Sequence, residues 1–192
     1  MNRHRKLGTG KEGTTFLVTD ERGCKYAMKT FRKTKAISSL QRECSLQKRA
    51  ARVGIAPRIH RCNLSEKTIV MEKMDSHLYD TLTEHDGKLT VKQQRELYGL
   101  FRKLDQVKVF HNDPNLSNYM IKNKRLYLID YGFAREITPA LCKKLGTDTP
   151  NRTLMLLGLI LKLKELNVPA SSYRYLLSRV SAENKSKYRL IE

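Results

Sequence analysis

The sequence predicts an α+β fold, with strands gathered in the first third and helices dominating the rest. Short β-rich runs fall at residues 14–19, 24–31, 58–63 and 67–74, each bounded by turn residues. One helical pattern, residues 37–53, interrupts them. Beyond residue 75 the apolar residues recur mainly at helical spacing. The expectation is a single two-lobed domain over residues 1–192. Its N-lobe, about 1–74, is a small antiparallel sheet with one helix; its C-lobe, about 75–192, is reduced and mainly helical.

Composition sets the limits. The chain has 192 residues, 40% of them hydrophobic, enough for one sizeable core or two small lobes around a cleft. The formal charge of +19 favours polyanions: nucleic acid, acidic protein segments or an anionic membrane surface. The charge is scattered through the chain, so a solvated basic surface with no dedicated partner fits equally well. Cys24, Cys44, Cys62 and Cys142 form no Cys-x-x-Cys pair. Neither a zinc site nor a redox motif is indicated, and a reducing intracellular compartment, cytoplasmic or nuclear, fits best. The basic N-terminus has no apolar run behind it, so no signal peptide is visible. The apolar stretch 154–161 is too short to span a bilayer.

The first motif is Gly8-Thr9-Gly10-Lys11-Glu12-Gly13, a G-x-G-x-x-G pattern. A P-loop would need Lys and then Ser or Thr directly after its last glycine, but Thr14 follows Gly13. A dinucleotide fingerprint would open a helix, but a β-rich run follows, and Asp20-Glu21-Arg22-Gly23 reads as a hairpin turn. A glycine loop between strands can lay backbone N–H groups over phosphates. The next strand carries Ala27 and Lys29. Glu43 lies fourteen residues beyond Lys29, among the inward positions Leu40, Cys44, Leu46 and Gln47 of the helix. A carboxylate on an apolar stripe needs a partner, and Lys29 would supply one. Taken singly, Lys29 is also readable as an exposed strand lysine and Glu43 as a surface glutamate.

Gly54-Ile55-Ala56-Pro57 ends that helix. Two strands then meet at a turn over Leu64-Ser65-Glu66, and a short helix covers residues 78–82. His85 stands in a polar loop and is given no role. Residues 89–107 form a longer helix, with Thr90 as its cap and Leu97, Leu100, Phe101 and Leu104 as its stripe. Near the C-terminus, Thr138-Pro139 and Asp148-Thr149-Pro150 read as loops, and helices follow at 153–166 and 171–181.

The chain is organised around residues 109–120, which contain His111-Asn112-Asp113 and Asn118, followed by Leu128-Ile129-Asp130-Tyr131-Gly132. Phosphoryl transfer needs a carboxylate near the attacking hydroxyl, and an amide with a second carboxylate to hold Mg²⁺. Glycine loop, lysine, helix glutamate, acid, asparagine and second acid occur in that order. Over roughly residues 7–136 the chain resembles the protein-kinase superfamily. Within it the likeness is greatest to small atypical members: the RIO type, kinases of tRNA-modifying complexes, and minimal kinases of large DNA viruses.

The resemblance implies roles. Asp113 would be the catalytic acid/base, and Asn118 and Asp130 would bind Mg²⁺. Lys29 would reach the α- and β-phosphates of ATP while paired with Glu43. Gly8, Gly10 and Gly13 would cover the phosphates, and Ala27 would lie over the adenine. Met71 would back the pocket, and backbone groups from Glu72 to Met74 would bond the adenine edge. His111 would brace the loop. The sequence also departs from the family pattern. Thr15 replaces a valine, Tyr131 a phenylalanine, Asn112 an arginine and Asn115 a lysine, and no Ala-Pro-Glu follows Gly132. The implied activity is phosphoryl transfer from ATP to a protein Ser/Thr hydroxyl, including its own. The rivals are a small-molecule kinase, an ATPase switch, and a nucleotide-binding scaffold that holds nucleic acid or a protein partner.

Overall fold

A computed structural model describes residues 1–84 and 87–190, which leaves His85 outside the described residues. The first three strands, β1 (Asn2–Thr9), β2 (Gly13–Thr19) and β3 (Lys25–Phe31), form an antiparallel meander. The turn at Asp20 forms as the sequence predicts. The Gly23 N–H donates to the Asp20 carbonyl at 3.1 Å, and Gly23 has φ +78°. That left-handed conformation favours glycine. Helix α1 (Ile37–Arg52) follows, then β4 (Ile59–Asn63) and β5 (Thr68–Glu72). The five strands take the order β1-β2-β3-β5-β4. Strand β1 was not expected. It is an exposed edge strand whose residues Asn2 to Lys6 show no apolar alternation.

The sheet's own core is small: Ala27, Phe31, Ile69 and Met71 meet Leu40 and Cys44 of α1. Cys44 and Cys62 form a disulfide that fastens α1 to β4. The expectation of a reducing compartment rested on the absence of a Cys-x-x-Cys pair, and this disulfide counts against it. The spacing rules test for Cys-x-x-Cys and do not reveal a pair brought together by the fold.

The remaining elements form and flank the larger core. They are β6 (Ser76–His77), α2 (Leu78–Glu84), α3 (Val91–Gln106), β7 (Val109–Phe110), β8 (Tyr119–Lys122), β9 (Arg125–Leu128) and β10 (Arg135–Glu136). After them come α4 (Pro139–Leu145), α5 (Leu156–Glu165), α6 (Arg174–Leu177) and α7 (Ala182–Lys187). Thr90 caps α3 through a reciprocal bond with Gln93, and Leu97, Phe101 and Leu104 on its inner face are fully buried. The helix expected at 153–166 begins earlier, as a wide π-turn over Asn151–Met155. The one expected at 171–181 shrinks to a 3₁₀ turn, Ala170–Tyr173, and the single-turn α6. Helix α1 spans both cores, with Leu46 and Ala50 packed into the larger one. Among the described residues no helix is long and apolar enough to cross a membrane.

Candidate active site

A cleft opens between the sheet and the β8–β9 hairpin. Its deep part is a slot of about 340 Å³, within the roughly 300–1,000 Å³ range of small-molecule sites. Leu7, Ala27 and Met71 line it from the sheet side, and Met120 and Ile129 line the opposite side. Glu72, Met74, Gly8, Thr15, Lys29, Glu43 and Asp130 are also part of the wall. Of the glycines, Gly10 and Gly13 are not among the lining residues. Gly13 has its own reason to be glycine: a Cβ there would run into the Thr30 carbonyl of the neighbouring strand.

Lys29, Glu43 and Asp130 form a charged cluster in the slot's wall. There the Lys29 ammonium donates to Glu43 Oε1 at 2.8 Å and to Asp130 Oδ1 at 2.7 Å. Strand β3, helix α1 and the turn after β9 therefore meet at one nitrogen. Glu43 is 1% exposed, a burial that a carboxylate tolerates only when paired. Its other oxygen, Oε2, accepts from Lys35 at 3.2 Å. Burial works to lower the Lys29 pKa, but Glu43 and Asp130 outweigh it and hold the ammonium above its ordinary value. Burial likewise works to raise the Asp130 pKa, and Lys29 outweighs it, leaving the carboxyl below its ordinary value. Asp130 has φ +62°, a conformation uncommon outside glycine. The Gly132 N–H donates to its Oδ1 at 3.4 Å.

Asp113 and Asn118 come from the loop between β7 and β8, outside the slot's lining. Asp113 Oδ1 accepts from the Asn115 N–H at 3.1 Å, and Asn118 Nδ2 donates to the Asp113 carbonyl at 3.4 Å. The Ile129 N–H donates to the Asn118 carbonyl at 2.9 Å, which ties this loop to the residue before Asp130. His111 is wholly buried, with Nε2 2.9 Å from the Ile129 carbonyl and Nδ1 3.2 Å from the Asp113 carbonyl. Burial lowers its pKa below the ordinary 6.5, against the pull of those carbonyls and carboxylates. A neutral ring donates to one of the two carbonyls, and the Ile129 contact is the shorter. Its edge meets Tyr131 at a centroid distance of 4.9 Å.

The protein kinase domain model matches residues 1–151. The chain belongs to the protein kinase family. A comparison with curated proteins gave no match. The fold is accordingly that of a reduced protein kinase, with an antiparallel N-terminal sheet and a mainly helical second lobe.

Several residues that shape this kinase site escaped the sequence reading. Asn151 is fully buried at the start of the π-turn. Its Oδ1 accepts from the His111 N–H at 3.1 Å, and its Nδ2 donates to the Val109 carbonyl at 2.8 Å and to Asp105 Oδ1 at 2.7 Å. It was hidden behind the loop signal of Asp148-Thr149-Pro150. Pro114 rests on α5 so closely that a Cβ on Gly158 would come within 2.6 Å of its ring. A glycine inside an apolar helix was the available clue. Glu12 and Lys35 pair at 2.6 Å. No pattern marked them, since one sits at a variable position of the glycine motif and the other in a basic run.

Proposed function

We propose that this kinase transfers the γ-phosphoryl group of ATP to a Ser or Thr hydroxyl on a protein. The observation that carries the reading is Lys29 bonded at once to Glu43 and Asp130 in the wall of a slot that Ala27, Met71, Met120 and Ile129 also line. The donor set suits the ligand. A planar base fits between Ala27 and Ile129, while Lys29 offers an ammonium to phosphate oxygens. Asp130 and Asn118 are the groups that would hold Mg²⁺, which offsets phosphate charge when bound. Protein kinases generally use both ligands.

In this reading Asp113 accepts or orients the proton of the attacking hydroxyl. Its carboxylate is fixed by the Asn115 N–H, and its backbone by Asn118 and His111. Glu43 keeps Lys29 aimed into the slot. Asn112 and Asn115, in place of arginine and lysine, support placing the chain among the small atypical kinases. The Ser/Thr assignment rests on the family resemblance. The net charge of +19 supports acidic proteins as the acceptors.

The test is transfer of labelled phosphate from ATP with Mg²⁺ to an acidic and to a basic protein, beside Asp130→Asn. Acid-stable label on Ser or Thr of the acidic protein, lost in the variant, is the expected result. Free phosphate without labelled protein would instead make the chain an ATPase.

A further inference from the structure

We propose that Lys35 is a second positioning lysine of this site, and that its ion pair with Glu12 straps the glycine loop to helix α1. The usual pair, Lys29 and Glu43, occupies only one oxygen of Glu43. The other is taken by Lys35, whose side chain is 7% exposed and whose ammonium also meets Glu12 Oε2 at 2.6 Å. Glu12 stands between Gly10 and Gly13, in the turn that joins β1 to β2. Its carboxylate reaches the turn below so closely that a Cβ on Gly132 would collide with it. A single chain of contacts therefore runs from the glycine loop through Lys35 and Glu43 to Lys29 and Asp130.

Charge explains why Lys35 is needed. Oxygens of Glu12, Glu43 and Asp130 lie within 4.8 Å of one another, an arrangement that repels unless cations intervene. Lys29 alone, which bonds Glu43 and Asp130, would leave Glu12 without a cation. Lys35 supplies the second ammonium, and the Phe31 ring lies beneath both, 4.8 Å from Lys29 Nζ and 5.4 Å from Lys35 Nζ. With Lys35 present the β1–β2 turn is held against α1 and the turn after β9. Without it, Glu12 is driven outward and Glu43 loses half its support. The backbone registers the same placement, because the Arg32 N–H donates to the Glu12 carbonyl at 2.9 Å.

The inference rests on the proposed nucleotide reading for its consequence, but the strap itself is testable without nucleotide. Hydrogen exchange at the Arg32 amide is followed in the wild-type chain, Glu12→Gln, Lys35→Met, the double variant and Lys35→Arg. Each single neutral change is expected to raise exchange about tenfold. The double variant should exchange no faster than Lys35→Met, and Lys35→Arg should restore most protection. Glu12 is partly exposed, so Glu12→Gln remains informative even where Lys35→Met folds poorly. Unchanged Arg32 exchange in Glu12→Gln, or independent effects of the two changes, overturns the strap. The dissociation constant for Mg·ATP is then measured by calorimetry. The strap predicts about fivefold weaker binding in Glu12→Gln, and tighter binding would make the pair an obstruction and overturn its positioning role. A wild-type chain that protects Arg32 through the strap yet binds no ATP would refute the nucleotide reading alone.

Discussion

The two walls of the cleft are held by different forces. On the sheet side a thin apolar layer, Ala27, Phe31, Ile69 and Met71 against Leu40 and Cys44, is supplemented by a disulfide and a chain of ion pairs. On the loop side Asp113 and Asn118 rest on a thick helical core through contacts that are neutral apart from the Asp105 carboxylate behind Asn151: Asn151 to His111, Pro114 on Gly158, and Ile129 to Asn118. Charge pairs depend on their partners and on solvent, whereas packed neutral groups do not. The difference assigns the adjustable parts of this kinase, the glycine loop, Lys29 and Glu43, to the sheet. Asp113, the proposed acid/base, is assigned to the rigid side.

The sharpest way to separate the walls is to remove one charge from the meeting point. Lys29→Met and Asp130→Asn should each lower phosphoryl transfer at least about a hundredfold, with both proteins folded by circular dichroism. On the loop side, Asn151→Ala leaves the His111 N–H and the Val109 carbonyl without their partner. Its unfolding free energy in urea should fall by about 3–4 kcal/mol, with little dependence on salt. A loss that shrinks strongly with salt would show that the loop side also depends on charge.

Reducing the Cys44–Cys62 disulfide, or replacing Cys44 by Ser, should cost about 2–3 kcal/mol of stability. The loss should appear in hydrogen exchange of β4 and α1 before β8 or α3. A uniform loss would mean that the two cores unfold as one.

Acid gives a smaller contrast. The folded His111 pKa lies below the unfolded value, so the unfolded chain binds more protons just under pH 6.5. Stability from the neutral ring is therefore complete above that pH and is lost as pH falls toward the folded value. Melting temperature should drop between about pH 7 and pH 5, less so in His111→Gln. The Asp130 contribution acts lower: it is present above the ordinary 3.8 and fades as pH falls through the depressed folded value. The smallest effect belongs to Tyr131→Phe. Among the described residues the buried Tyr131 hydroxyl has no hydrogen-bond partner, so the variant should melt at the same temperature or up to a few degrees higher.

The same contrast decides what the sequence revealed. Strands β2 to β5 were legible because turn chemistry at Asp20-Glu21-Arg22-Gly23 and Leu64-Ser65-Glu66 separates them. Strand β1 was not, because an exposed edge strand carries no alternating pattern. The Lys29–Glu43 contact was legible because a carboxylate on an apolar stripe has to find a cation. Lys35 and Glu12 looked like surface residues, since their burial follows from how the glycine loop folds back. Asn151 and the Cys44–Cys62 pair share that limit: each joins segments distant in sequence, and only the fold brings their partners within reach. The short helices α4 and α7 lack the length for a periodic stripe.

The most direct test of the whole account compares the wild-type chain with Asp113→Asn, measuring Mg·ATP binding by calorimetry and labelled-phosphate transfer to protein in parallel. The account predicts equal binding, because Asp113 lies outside the slot, and transfer lowered about a hundredfold or more. Transfer that survives the change, or a wild-type chain that does not bind the nucleotide, would contradict it.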